Sequence, residues 1–198
     1  MTDLAERRGA TGRVYQPAED SRLLADAVVA GVDAGECVLE VGTGSGYVAA
    51  RVAAAGADVV ASDLNPHACR QARERGVSVV RADLLDPFAA DAFDAVAFNP
   101  PYLPDEVPPD ADRSATGARD DWMEVALSGG ESGREVVDAF LDDVGRVLRE
   151  SGVVYLLVSS LTGVEAVVER AAEEGFSAAV VAEESFPFET LTVLRFRR

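Results

Sequence analysis

The sequence contains no lysine: all 18 of its basic residues are arginine, set against 35 aspartates and glutamates for a formal net charge of -17. A surface of that sign repels phosphate backbones at ordinary ionic strength, which puts nucleic acid at a disadvantage as a substrate. The acids are scattered along the chain rather than gathered in a tail. Scattered acid without lysine reads as adaptation to a salt-rich cytosol. Salt also screens such charge, so its sign alone leaves nucleic acid open. Cysteine is scarce too. Cys37 and Cys69 are too few for a disulfide framework, and each sits in an apolar pattern, as small buried residues of a reducing compartment do. One histidine, His67, and no paired-cysteine motif give the sequence no evident metal site. No apolar run approaches the length of a bilayer span, and the first residues lack the charged-then-apolar pattern of a secretory signal. The expected location is the cytoplasm, with no membrane partner.

What is present alternates. Short β-branched runs at 36–41, 58–62, 77–81, 93–98, 153–159, 178–182 and 190–196 read as strands. Helical patterns at 18–30, 46–55, 66–75, 134–148 and 164–174 lie between them. Asn65 before Pro66 is a helix opening, and Gly76 and Gly175 follow helical runs as C-terminal caps. Strands alternating with helices predict one α/β domain over residues 1–198, with a doubly wound, mainly parallel sheet and helices on both faces. The last two strands leave no room for a crossover helix, so they should pair antiparallel. The stretch from Leu103 to Gly130, rich in proline and acid, shows no clear period. A loop of that length directly after the motif at 99–102 reads as a substrate-facing lid.

Two motifs carry chemistry. Val38-Leu39-Glu40-Val41-Gly42-Thr43-Gly44-Ser45-Gly46 is an apolar strand entering a glycine turn, in which Gly42 and Gly44 let the backbone approach a nucleotide closely. The spacing is Gly-x-Gly-x-Gly, where a pyrophosphate turn wants Gly-x-Gly-x-x-Gly. It suits S-adenosylmethionine, which has no pyrophosphate, better than a dinucleotide. Acids follow at successive strand ends. Asp63 can accept from both ribose hydroxyls, and Asp83 from the adenine amine, with the Leu84 N–H near a ring nitrogen. Glu40 can face the methionine ammonium.

The second motif is Asn99-Pro100-Pro101-Tyr102, at the end of an apolar strand that the prolines terminate. An amide or aniline-like NH2 is a poor nucleophile because its lone pair is delocalised. If the Asn99 side-chain oxygen and the Pro100 carbonyl accept its two N–H bonds, the lone pair is left facing a methyl donor. Acceptors so placed count most where positive charge develops on nitrogen. Tyr102 can pack on the planar group and fix its plane. These residues, with Pro101, form the expected substrate site for a planar nitrogen, whichever molecule bears it.

The sequence resembles the HemK family of release-factor glutamine methyltransferases, in its archaeal and eukaryotic branch. The resemblance is carried by Val14-Tyr15-Gln16-Pro17-Ala18-Glu19-Asp20-Ser21, the turn at 40–46, Asp63-Leu64-Asn65-Pro66, Asp83-Leu84 and the motif at 99–102. It continues through Gly129-Gly130-Glu131-Ser132-Gly133-Arg134-Glu135-Val136 and Glu189-Thr190-Leu191-Thr192-Val193-Leu194. It implies a Rossmann-like class I methyltransferase that methylates the glutamine of a Gly-Gly-Gln motif in a class I release factor. It also implies Ser21 as a cofactor contact beside Glu40, Gly42, Asp63, Asp83, Leu84 and Asn99. The branch lacks the N-terminal substrate domain of bacterial relatives and works with a small zinc-binding activator. The resemblance places that activator on the edge strand from Val77 to Arg81, where an exposed apolar edge wants cover. Three alternatives stay open: an adenine-N6 methyltransferase, which shares the Asn-Pro-Pro-aromatic motif, a protein-lysine methyltransferase, and an idle cofactor-binding scaffold. The absence of a basic patch weighs against the first.

Overall fold

The computed structural model describes residues 13–103 and 122–198. Its elements are α1 Glu19–Gly31, β1 Cys37–Val41, α2 Tyr47–Ala54, β2 Asp58–Asp63, α3 Pro66–Glu74, β3 Ser78–Arg81 and β4 Phe93–Phe98. Then come α4 Trp122–Leu127, α5 Glu135–Val147, β5 Leu148–Ser159, α6 Val164–Glu173, β6 Ser177–Phe186 and β7 Glu189–Arg197. The seven strands form one sheet in the order β3-β2-β1-β4-β5-β7-β6. Strands β1 to β5 pair in parallel, and β7 runs antiparallel to both β5 and β6. The expected C-terminal hairpin is therefore present, though its strands are longer than the β-branched runs that announced them. The chain between them, Pro187 and Phe188, leaves no space for a helix.

Alternation along the strands sorts the core into two layers. Leu39, Val41, Val96, Phe98, Val154, Leu156 and Val158 face α5 and α6, where Val137, Phe140, Leu141, Val144 and Val167 are buried against them. Val38, Ala95, Ala97, Val153, Tyr155 and Leu157 face the other way, onto Leu24 and Val28 of α1 and Val48 and Val52 of α2. Helices thus cover both faces. Central strands buried on both sides read as continuous apolar runs, which is why 93–98 and 153–159 were legible.

Two elements depart from expectation. Strand β5 begins at Leu148, five residues earlier than the β-branched run, because Phe93 pairs with Leu148 across an irregularity before Ala95 pairs with Val153. The stretch after Leu103 contains the short helix α4, which is followed by a parallel bridge between Leu103 and Ser128. Six residues are too few to show a helical period. Most of the expected lid, 104–121, lies outside the described residues.

Candidate active site

At the carboxyl edge of β1, β2 and β4 the chain encloses a cavity of about 370 Å³, within the range of small-ligand sites. The glycine turn forms its floor. Gly42, Gly44 and Gly46 all have positive φ, at 62°, 53° and 80°, a region costly for a residue with a Cβ. Gly46 is also required by packing: a Cβ there would lie 2.8 Å from Ala72 Cα on α3. The Thr43 N–H donates to the Ser62 carbonyl at 2.9 Å, which ties the turn to β2.

Every sequence-predicted site residue lines this one cavity: Ser21, Glu40, Gly42, Gly44, Asp63, Asp83, Leu84, Asn99, Pro100, Pro101 and Tyr102. Glu40 is buried, and its Oε2 accepts from the Ala49 N–H at 2.9 Å and from the Thr43 hydroxyl. Burial outweighs those two donors, and the nearby Asp63 charge adds to it, so the Glu40 carboxyl is pushed up to about 8. Asp63 accepts from the Gly44 and Asn65 N–H groups at 2.8 Å each, one on each oxygen. Burial raises its pKa against those two hydrogen bonds. Each Asp63 oxygen keeps a second lone pair for a ligand hydroxyl.

The sequence reading passed over Asp20. It is buried at the cavity wall, accepting from the Tyr15 hydroxyl at 2.9 Å and from the Ser21 N–H and hydroxyl. A signal existed: Asp20 shares the helix face of Leu24 and Val28, both fully buried, and an acid on an apolar stripe needs a reason. Helix α4 was missed as well. It lends Trp122, Val125, Ala126 and Leu127 to the cavity, and Glu135 and Val136 enter from the start of α5.

The electrostatics discriminate between ligands. The described lining includes Asp20, Glu40, Asp63, Asp83 and Glu135 and no arginine or histidine. Such a cavity repels a pyrophosphate and attracts a ligand bearing ammonium and sulfonium charges. The residues present therefore fit S-adenosylmethionine and oppose a dinucleotide. Beyond them stands Asn99. Its Oδ1 is buried at the end of β4 without a hydrogen-bond donor in the described protein. Leaving an acceptor so costs about 1–3 kcal/mol, which a ligand N–H would recover. Tyr102 is buried beside it, packed in the same apolar layer as α1.

Comparison with known proteins agrees with this chemistry. Residues 38–116 match the family model described as a methyltransferase domain. A putative protein N5-glutamine methyltransferase of Methanocaldococcus jannaschii is 35% identical over 91% of this chain and 90% of its own length. The methyltransferase HEMK2 of Homo sapiens is 34% identical over 96% of this chain and 92% of its own. Among solved structures, Mtq2 in the E. cuniculi Mtq2-Trm112 complex, responsible for methylation of the eRF1 termination factor, superposes with a TM-score of 0.75. It is 31% identical, covering 94% of this chain and 99% of that one. The chain belongs to the family of S-adenosylmethionine-dependent protein N5-glutamine methyltransferases.

Proposed function

We propose that this chain methylates the side-chain amide nitrogen of the glutamine in the Gly-Gly-Gln motif of a class I release factor. The observation that carries the reading is the buried Oδ1 of Asn99 at the end of β4, which has no hydrogen-bond donor among the described residues. S-adenosylmethionine supplies an electrophilic methyl carbon on a sulfonium sulfur, which leaves as a neutral thioether. Glu40 holds the ammonium of the donor, Asp63 its ribose hydroxyls, and Asp83 with Leu84 its adenine edge; Ser21, Gly42 and Gly44 complete that half of the cavity. Asn99 Oδ1 and the Pro100 carbonyl accept the two amide N–H bonds, and Pro101 and Tyr102 hold the amide plane. The nitrogen lone pair is thereby aimed at the methyl carbon. As the N–C bond forms and the C–S bond breaks, positive charge grows on the nitrogen between two fixed acceptors. The methylated nitrogen then gives one proton to water, so no strong base is required. Much of the acceleration comes from holding the reactants in line.

The same reading gives the protein a small zinc-binding activator as partner, docked on the edge of β3. Among the described residues, strand β3 pairs only with β2, and Val80 on it is 40% exposed. An apolar edge of this kind is stabilised by a covering chain. The solved relative Mtq2, which forms a complex with Trm112, supports a protein partner for this chain.

The test combines the chain, activator, labelled methyl donor and a class I release factor, with DNA and RNA in parallel reactions. Label is expected on the release factor, and it should vanish when the motif glutamine is replaced by alanine. Label on nucleic acid alone, or retained after that replacement, would overturn the proposal.

A further inference from the structure

Residues 129–135, Gly-Gly-Glu-Ser-Gly-Arg-Glu, form no part of either reactant's proposed set of hydrogen bonds, yet they are tightly built. The turn begins where the reacting motif ends. Leu103, next after Tyr102, donates its N–H to the Leu127 carbonyl at 3.0 Å, and its own carbonyl accepts the Gly129 N–H at 2.9 Å. Gly129 in turn accepts from the Glu135 N–H at 3.0 Å, and Gly133 donates to the Gly130 carbonyl at 3.1 Å. The Glu135 carboxylate reaches back to the Glu131 N–H at 3.0 Å. A Cβ on Gly129 would meet the Gly133 carbonyl oxygen at 2.5 Å, so the two backbones touch where only glycine fits. On its far side the turn is tied to the sheet: Arg134 donates to the carbonyl of Thr162, at 3.3 Å, in the loop after β5.

The turn therefore joins three things: the residue following the reacting motif, the α4 wall of the cavity, and the loop that follows β5, the strand beside β4. We propose that residues 129–135 act as a clasp that positions Tyr102, Asn99 and α4 around the substrate amide, with Gly129 and Arg134 as positioning residues of the transfer. The inference rests on Asn99 as the amide acceptor. Gly129 and Arg134 are the two points at which the turn is fastened, the first to Leu103 and the second to the loop after β5.

The experiment compares the full chain with Gly129→Ala, Arg134→Ala and Arg134→Lys. Two readouts are independent of each other. The first is methylation of the release factor with activator present, alongside the affinity for S-adenosylhomocysteine. Because a misplacement of about 1 Å costs on the order of a hundredfold, kcat should fall roughly hundredfold in Gly129→Ala and about tenfold in Arg134→Ala. Arg134→Lys, which keeps a donor, should restore most of the loss, and cofactor affinity should stay within about twofold of the parent. The second readout needs no substrate. Trp122 on α4 is the only tryptophan of the chain, so acrylamide quenching of its fluorescence reports whether the wall has come loose. Quenching should increase in Gly129→Ala and Arg134→Ala and return in Arg134→Lys. Unchanged quenching in both loosened variants would overturn the clasp, as would cofactor affinity lost in step with kcat. A parent enzyme that fails to label release factor while the quenching changes hold would overturn the substrate assignment and leave the clasp standing.

Discussion

Glu40 makes cofactor affinity depend on pH in a way that can be worked from the structure. Its carboxyl titrates near 8 because burial, and secondarily the Asp63 charge, outweigh the hydrogen bonds from Thr43 and Ala49. A bound ammonium wants the carboxylate, so binding must expel the proton. If only the ionised form binds, affinity is reduced by a factor of 1 + 10^(8 − pH), about elevenfold at pH 7, or about 1.4 kcal/mol. Between pH 5.5 and 7.5 the affinity for S-adenosylhomocysteine should rise roughly 75-fold and then level off above 8. Calorimetry in buffers of different ionisation enthalpy would measure both the slope and the released proton. Glu40→Gln should bind more weakly at pH 8 and lose the slope near neutrality. A flat profile in the parent, or an unchanged slope in Glu40→Gln, would refute the argument. Stability of the protein by itself runs the opposite way. The folded-state value lies above the ordinary 4.5, so the proton is bound more tightly in the folded state, and stability is lost as pH rises from about 4.5 to about 8. Glu40→Gln should therefore be more stable than the parent at pH 8, by about 4–5 kcal/mol at most in chemical denaturation, and equal to it below pH 4.5.

Asn99→Ala should abolish methyl transfer while leaving S-adenosylhomocysteine affinity largely intact; it should also not lower the melting temperature, since the removed oxygen has no donor to lose. Asp63→Ala should weaken cofactor binding by about 1.5–3 kcal/mol, the worth of hydrogen bonds to a charged group, and an unchanged dissociation constant by calorimetry would defeat the ribose assignment. Gly46→Ala should destabilise the fold by about 1–3 kcal/mol in chemical denaturation, because φ of 80° and a Cβ 2.8 Å from Ala72 Cα penalise it together.

Local pattern determined much of this protein. The order of strands and helices, the C-terminal hairpin and the family motifs are written in runs whose period and punctuation need no partner to be read. Asn65 before Pro66 announces a helix start, and the structure shows the Asn65 side chain accepting the His67 N–H at 2.8 Å. Glu40, Asp63, Asp83 and Asn99 could be picked out because strand ends of a parallel sheet all point to one edge. Tertiary structure decided what depends on neighbours distant in sequence. Asp20 gains its place only when α1 packs on β5, β6 and β7, and the early start of β5 is dictated by its pairing with Phe93. Helix α4 is held by a bridge between Leu103 and Ser128 that no local period encodes. The shift in Glu40 likewise follows from how much water the fold removes around it, and that is a property of the packed surroundings rather than of any residue alone.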